Sequence, residues 1–186
     1  MKAVSFFTKG DLFSESIVNF LKANEIHAVQ YNIEKASVGS FETNEELIVV
    51  NLCSRFKYSL FAILSLNSMA SKIKKRVIFI CTSEIQSFYY EVVDVNDFYF
   101  LLVDKKYTHP EVKDLFYGHN IKRKANKRLT KRECLIFMMV IYGASITNVS
   151  KSMGVDYKTI STHVRNSCYK LNENNIRCIH KKLHFY

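Results

Sequence analysis

Several absences limit what this chain of 186 residues can be. It contains no apolar run that approaches the ~20 residues needed to cross a bilayer, so the sequence does not predict a membrane partner. Its opening residues, MKAVSFFTKGDLF, lack the long apolar centre and cleavage site of a signal peptide and are typical of a first strand. Internal repeats and low-complexity tracts are also missing. We therefore expect a cytoplasmic globular protein.

The sequence also lacks paired cysteines and clustered metal ligands. Its five cysteines are odd in number and scattered, and they form no C-x-x-C motif. Small buried side chains in a reducing compartment are their expected role. Neither a metal site nor any other cofactor is predicted. The cysteines are Cys53, Cys81, Cys134, Cys168 and Cys178.

Charge is unevenly distributed along the chain. The net charge is +10, but residues 1–118 carry 13 Lys and Arg against 14 Asp and Glu, whereas residues 119–186 carry 14 against 3. A near-neutral first part and a strongly basic last part indicate that the C-terminal third binds a polyanion. Nucleic acid and anionic lipid both fit this charge, and a merely solvated basic surface is the simpler alternative.

Residues 1–118 are predicted to form an α/β domain. Near-continuous apolar runs are typical of strands buried on both faces of a parallel sheet, and amphipathic patterns between them indicate helices. This alternation predicts a doubly wound domain with a five-stranded parallel sheet. The predicted strands are Ala3–Phe7, His27–Ile33, Leu47–Leu52, Val77–Cys81 and Phe98–Val103; the predicted helices are Asp11–Ala23, Lys57–Lys72 and Glu111–Tyr117, and Glu84–Val95 stays ambiguous.

Residues 129–186 are predicted to form an all-α domain of four helices, after a basic linker at residues 119–128 (HNIKRKANKR). Hydroxyl and carboxylate side chains precede the helical patterns as N-caps, and glycines stand where left-handed turns are expected. A capping box is predicted where a threonine is followed three residues later by a glutamate. These residues are Thr130, Glu133, Gly143, Ser145, Gly154 and Asp156.

The third of these helices, DYKTISTHVRNSCYKL at residues 156–171, has an unusual composition. Its β-branched residues lower helix propensity, so packing of Ile160, Val164 and Leu171 must hold it. Its other faces carry cations and hydrogen-bonding side chains. A short helix, a glycine-containing turn and a longer cationic helix predict a helix-turn-helix that fits a major groove. A membrane-surface helix would instead show large apolar residues opposite its cations.

Fixed spacings across residues 129–185 carry a family resemblance. The motifs are Leu129-Thr130-x-Arg132-Glu133, Gly143-x-Ser145, Lys158-Thr159-Ile160-x-x-His163 and Lys170-Leu171. Together they closely resemble the DNA-binding domain of LuxR/FixJ-type bacterial transcription regulators. Three positions depart from that family: Asn148 replaces the usual Glu, Ser150 replaces an Ala packed between helices, and Asp156 stands where Ser usually caps.

The resemblance implies roles for individual side chains of the third and fourth helices. Its base-reading positions are Ser161, Thr162 and Arg165. Its DNA-backbone positions are Lys158, Thr159, His163, Asn166 and Lys170. The fourth helix commonly forms the dimer contact, which points to Ile176, Ile179 and Leu183. Simpler alternatives are a packing role for His163 and a solvated helix-end charge for Lys170.

The N-terminal half resembles a response-regulator receiver that has lost its acidic site. Asn51 stands where a receiver has its phosphoacceptor Asp, and an amide is a poor nucleophile that brings no charge to a metal site. Strand one ends without a carboxylate pair, and Asp11 is expected to lie too far along the chain to replace it. Thr82 or Ser83 occupies the switch position, and Lys105 or Lys106 matches the receiver lysine. We expect a pseudo-receiver that is not phosphorylated by the aspartyl route.

The two-part layout resembles the Rcs-type auxiliary regulators of enteric bacteria. It implies a sequence-specific, phosphorylation-independent transcription regulator and not an enzyme. Its expected partners are double-stranded DNA and either a second copy or another LuxR-type response regulator. A phosphorylation-dependent response regulator with unusual acceptor chemistry stays open. So does an adaptor that captures a partner regulator, for which Leu135, Met138 and Met139 would supply exposed apolar surface.

Overall fold

The computed structural model describes residues 3–53, 56–69, 75–95, 97–117 and 129–184, without the side chains of residues 56, 57 and 182–184. The chain divides into two compact units. One comprises Met1–Gln86 and Val93–Arg123, and the other Ser87–Val92 and Lys124–Tyr186. The predicted basic linker, residues 119–128, lies outside the described residues. The domain boundaries drawn from the sequence therefore stay a prediction.

A five-stranded parallel sheet forms the frame of the first unit, as predicted. Its strands are β1 (Ala3–Thr8), β2 (His27–Asn32), β3 (Leu47–Asn51), β4 (Arg76–Cys81) and β5 (Phe98–Leu102). Their order across the sheet is β2-β1-β3-β4-β5, so β3 is central. Every residue of β3 is buried, as expected for a parallel strand covered on both faces.

Four helices follow the strands: α1 (Leu12–Ala23), α2 (Phe56–Ser68), α3 (Ser83–Val92) and α4 (His109–Tyr117). The ambiguous stretch at residues 84–95 is thus largely helical, although its part Ser87–Val92 groups with the second unit. Val18 and Leu21 of α1 and Phe116 of α4 share one apolar cluster with Val4 and Phe6 of β1. This cluster packs the second half of α1 and the end of α4 against β1.

The alternation of strand and helix is interrupted between β2 and β3. Two short 3-10 turns, Ile33–Lys35 and Val38–Phe41, connect these strands. The ring of Phe41 stacks on Phe7 with centroids 4.3 Å apart, and Phe7 stacks on Tyr31 at 4.8 Å. Offset aromatic stacking of this kind contributes apolar burial in little space. An aromatic stack therefore covers the sheet where a regular receiver-like pattern would place a helix.

The four helices predicted for the C-terminal part are confirmed. They are α5 (Lys131–Ile141), α6 (Ile146–Met153), α7 (Tyr157–Lys170) and α8 (Ile176–His184). Gly154 ends α6 in the left-handed conformation at φ +61°. Ile136, Val149 and Ile160 are fully buried in the core of this unit. Within the described ranges, no helix combines the length and the apolar character needed to cross a membrane.

The cysteines only partly follow the expectation of small buried side chains. Cys81, Cys134 and Cys168 are buried and Cys178 is half-buried, but Cys53 is exposed. Cys53 lies outside the core because it follows the last residue of β3 by two positions, in a turn. All five are free thiols.

Candidate nucleic-acid interface

Two short hydrogen bonds and one left-handed glycine fix the start of α7. Asp156 is its N-cap, and the Asp156 carboxylate accepts the backbone N–H of Lys158 at 2.7 Å. The hydroxyl of Ser150 on α6 donates to the Val155 carbonyl in the turn, at 2.6 Å. The left-handed Gly154 lets the chain reverse between the two helices. These contacts set the direction in which α7 leaves the turn.

One face of α7 is buried, and the opposite face is exposed. Ile160, Val164, Ser167 and Cys168 are buried, and Leu171 at the C-cap is 6% exposed. The exposed side chains recur three, four and seven residues apart, so they share one face. They are Lys158, Thr159, Thr162, Arg165 and Asn166, with Ser161 and His163 half-buried at its edges.

Lys170 is a predicted DNA-backbone contact whose ammonium already forms an ion pair within the protein. Its Nζ lies 2.6 Å from Oε2 of Glu133, which is only 5% exposed. The same carboxylate oxygen accepts the backbone N–H of Thr130 at 2.8 Å, while the Thr130 hydroxyl accepts the N–H of Glu133. The predicted capping box thus also anchors the C-terminal end of α7 to the start of α5.

Electrostatics at this pair favour the charged carboxylate. Burial by itself would raise the pKa of Glu133. Hydrogen bonds from Lys170 and from the Thr130 backbone and hydroxyl outweigh burial and hold that pKa below its ordinary value. A phosphate contact by Lys170 stays a prediction, and the ammonium would have to serve Glu133 and the phosphate together.

His163 and the predicted dimer residues are less exposed than the rest of the predicted set. Nδ1 of His163 is buried and has no hydrogen-bond partner among the described residues. Ile176 of α8 is half-buried, but Ile179 is 2% exposed and belongs to the core of its own unit. The side chain of Leu183 lies outside the described residues. Ile179 therefore packs within its own unit, and a dimer contact through α8 stays a prediction.

Two tyrosines on α7 were not among the predicted contacts. Tyr157 is 52% exposed and Tyr169 is 70% exposed. Tyr169 follows Arg165 by four residues and Thr162 by seven, so it extends the same exposed face by one turn. That spacing was a readable signal in the sequence. Of the apolar residues considered for an adaptor surface, Leu135 is exposed, Met139 is half-buried and Met138 is buried.

Asn51, the predicted degenerate acceptor position of the first unit, has hydrogen bonds at both ends of its amide. Asn51 ends β3 and is 1% exposed. Its Nδ2 donates to Oδ2 of Asp11 at 3.0 Å and to the hydroxyl of Ser14 at 2.9 Å. Its Oδ1 accepts the backbone N–H of Cys53 at 2.9 Å. Both ends of the amide are therefore engaged inside the protein.

The placement of Asp11 corrects the expectation that it lies too far along the chain. Gly10, at φ +84°, turns the chain back after β1, and Asp11 becomes the N-cap of α1 by accepting the N–H of Ser14 at 2.8 Å. Its second carboxylate oxygen then reaches Asn51 across 40 positions of sequence. The Asp11 carboxylate thus lies beside the predicted acceptor position, where it accepts a hydrogen bond from the Asn51 amide.

The other receiver-like positions are arranged differently. Ser83 donates its backbone N–H to the carboxylate of Asp104 at 2.9 Å, and its hydroxyl donates to the same carboxylate. These bonds hold the pKa of Asp104 below its ordinary value. Lys105 and Lys106 are exposed. Across the part of the chain that the structure describes, no three His, Cys, Asp or Glu residues form a group that could hold a metal ion.

Comparison with known proteins identifies the C-terminal unit. Residues 127–180 match the family described as bacterial regulatory proteins of the luxR family. This stretch therefore forms a LuxR-type helix-turn-helix domain, in agreement with the resemblance drawn from the motifs. No curated protein sequence matches the chain.

Solved structures of RcsB share the two-part fold. A structure of two RcsB dimers bound to two parallel DNAs covers 100% of both chains at 14% identity and a TM-score of 0.57. RcsB from Salmonella enterica serovar Typhimurium, bound to promoter rprA with phosphomimetic BeF3−, covers 100% of this chain and 99% of that one at 13% identity and a TM-score of 0.55. The same protein bound to promoter P1flhDC gives 14% identity and a TM-score of 0.55. At these identities the likeness concerns the fold.

Proposed function

We propose that this chain is a bacterial, cytoplasmic transcription regulator that binds specific DNA sequences by placing α7 in the major groove. The observation that carries the proposal is the exposed face of α7, which presents cations, hydroxyls and an amide while its apolar face is buried. The LuxR-type domain and the DNA-bound RcsB structures of the same fold support this assignment. The luxR family is one of regulatory proteins, and we predict no enzymatic activity.

Different side chains of α7 are assigned to sequence reading and to affinity. Arg165 and Thr162, with Ser161 beside them, would meet base edges; an arginine can pair bidentately with guanine there. Lys158, Thr159, Asn166 and His163 would contact phosphates and supply affinity independent of sequence. We add Tyr169, which is exposed and carries a hydroxyl, to the proposed phosphate contacts. The main role that we assign to Lys170 is to hold the end of α7 through its ion pair with Glu133.

We further propose that two LuxR-type domains act together on DNA, as a homodimer or as a heterodimer with another LuxR-type regulator. The RcsB structure with the highest TM-score among those above contains dimers on DNA. On α8, Ile176 is half-buried and Ile179 belongs to the core, so of the two predicted dimer residues whose side chains the structure describes, Ile176 retains more surface for such a contact. Two domains related by a two-fold axis would protect half-sites about one helical turn apart.

Regulation is proposed to be independent of aspartyl phosphorylation. The acceptor position carries Asn51, whose amide donates to the nearby Asp11 carboxylate and is shielded from solvent. An amide in this setting offers neither a nucleophilic oxygen nor the paired charges that favour Mg²⁺. The first unit would then serve as a scaffold for a partner or a signal.

The decisive experiment selects binding sites from a random duplex library and compares Arg165→Ala with Arg132→Ala. Both residues are exposed arginines, but Arg132 lies on α5, so the pair separates position from charge. Arg165→Ala should weaken binding to the selected site roughly 10- to 100-fold while leaving unrelated duplexes little changed. Arg132→Ala should have a small, uniform effect. Footprints with and without a LuxR-type partner would show one or two half-sites.

Two outcomes would count against these assignments. An equal loss on all duplexes for Arg165→Ala contradicts its role in reading bases. A wild-type chain that enriches no sequence, alone or with a LuxR-type partner, contradicts the proposed function itself and favours an adaptor.

A further inference from the structure

The hydroxyl of Thr162 is already committed as a hydrogen-bond donor. Its Oγ1 lies 2.9 Å from the backbone carbonyl of Lys158, one turn earlier on α7. A carbonyl oxygen carries no hydrogen, so the hydroxyl proton of Thr162 must point at it. This is one of the two side-chain rotamers that threonine prefers in a helix. What Thr162 still offers outward is a pair of oxygen lone pairs and a methyl group.

This orientation restricts the base edges that Thr162 can recognise. A free threonine hydroxyl could serve any base, because it can donate or accept. With its proton held by Lys158, Oγ1 can only accept. Hydrogen-bond donors in the major groove are the exocyclic amino groups, N6 of adenine and N4 of cytosine. Edges that offer only acceptors, such as guanine N7 and O6, would require the internal bond to break.

Arg165 has the opposite polarity and lies next to Thr162. Its guanidinium carries only donors and suits the acceptors of guanine. Residues three apart on a helix are neighbours, and three residues advance the helix by about 4.5 Å, close to the rise of one base pair. The two exposed side chains therefore face base pairs that lie no more than two apart, one with an acceptor and the other with donors.

We propose that Thr162 acts as an obligate hydrogen-bond acceptor, which makes this regulator fix the strand that carries the amino-bearing base, adenine or cytosine, at a base pair within two of the guanine read by Arg165. This inference rests on the proposed function, because it concerns how the same helix reads DNA. It assigns a chemical class to one position of the operator, which neither the family nor the fold supplies.

Two substitutions separate the acceptor from the methyl group. Thr162→Val keeps the size and the methyl group and removes the oxygen. Thr162→Ser keeps a hydroxyl that can make the same bond to Lys158 and removes the methyl group. Site selection with each variant would locate the base pair whose preference changes, and competition binding would measure the change. Melting temperature and affinity for unrelated duplexes provide the check on folding.

We expect Thr162→Val to lose the preference for the amino-bearing base by roughly two- to ten-fold, the range of one neutral hydrogen bond, and Thr162→Ser to keep it. Removing the amino group from the DNA, with purine for adenine or 2-pyrimidinone for cytosine, should weaken wild-type binding by the same factor. On DNA without the amino group, Thr162→Val should lose only the affinity that the weaker base pair costs. This variant is therefore the control for the change in duplex stability.

The opposite patterns overturn the inference. A preference that survives in Thr162→Val, or that is lost in Thr162→Ser, shows that the methyl group or another side chain reads the base. A selected base pair at which removal of the amino group leaves wild-type binding unchanged has the same consequence. In each of these cases wild-type binding to a specific site remains, so the proposed function stands. If the wild-type chain enriches no sequence, both fail together.

Discussion

The two units of this protein differ in where their polar side chains make contacts. In the first unit, the polar groups at the end of β3 satisfy one another: Asn51 bonds to Asp11, Ser14 and the backbone of Cys53, and its side chain is buried. In the second unit, α7 directs Lys158 and Arg165 to the surface. A polar group that is satisfied internally has little to offer a ligand, whereas an outward cation retains its full attraction for an anion.

The difference shows that apolar burial can maintain a fold whatever polar side chains stand at its edges. The parallel sheet of the first unit depends on apolar burial in β1, β3 and β4, and replacing an acid by an amide at the end of a strand does not disturb that burial. The helix-turn-helix depends on its core in the same way, but its function lies in side chains that the core does not need. The largest predicted effects on stability therefore come from polar residues that hold the helices of this unit together.

Glu133 is such a residue, and its substitution should have the largest effect on stability. Glu133→Ala removes half of the capping box and leaves Lys170 without its buried partner, so the second unit should lose about 3 kcal/mol of unfolding free energy. Hydrogen exchange followed by mass spectrometry on the full chain should show faster exchange in residues 129–184 and little change in the first unit. Equal exchange rates in the wild type and the variant would show that Glu133 does not stabilise the contact between α5 and α7.

The same pair predicts how stability depends on pH. Because the folded-state pKa of Glu133 is lowered, its contribution is fully present above the unfolded pKa of about 4.3 and is lost as pH falls through the folded value. Glu133→Gln keeps an acceptor for the Thr130 N–H but has no charge to titrate. The acid-induced loss should therefore be smaller in Glu133→Gln than in the wild type, and an identical loss would contradict this account.

What the sequence could predict was mostly local. The caps at Thr130, Ser145 and Asp156 depend on residues three or fewer positions apart, so α5, α6 and α7 begin where the pattern indicates. The contacts that the sequence missed join distant residues. Lys170 and Glu133 are 37 positions apart, and Asn51 and Asp11 are 40 apart, so no short pattern records that they meet. The helical spacing predicted which side chains of α7 are exposed. It did not predict that the Lys170 ammonium and the Thr162 hydroxyl already have hydrogen-bond partners within the protein.

Asn51→Asp tests whether the hydrogen bonds of the Asn51 amide stabilise the first unit. It would place a second carboxylate about 3 Å from Asp11 in place of an amide donor, and we expect a loss of about 2 kcal/mol at neutral pH. The carboxyl pair would have a raised pKa, so this penalty should be absent below about pH 4 and grow as pH rises. Chemical unfolding at several pH values would measure it.

Asn51→Ala is the matched control, because it removes the same hydrogen bonds without adding a charge, and its penalty should not vary with pH in this way. The wild-type chain should gain no acid-labile phosphate from acetyl phosphate and Mg²⁺. Phosphate found on the N-terminal unit would contradict phosphorylation independence and favour a response regulator with unusual acceptor chemistry.

Ser150→Ala should have the smallest effect on the free energy of unfolding. It changes the turn that precedes α7. The Ser150 hydroxyl donates to the Val155 carbonyl, and losing that bond should cost about 1 kcal/mol. Alanine is the better helix former by up to about 0.5 kcal/mol, so the net loss should be only about 0.5 kcal/mol.

Ser152→Ala, on the same helix, is the control. It removes a hydroxyl that bonds only within α6 and gains the same helix propensity. The difference in unfolding free energy between the two variants therefore isolates the hydrogen bond from Ser150 to the Val155 carbonyl. Equal unfolding free energies would mean that Ser150 stabilises the turn no more than the alanine usual in LuxR-type domains.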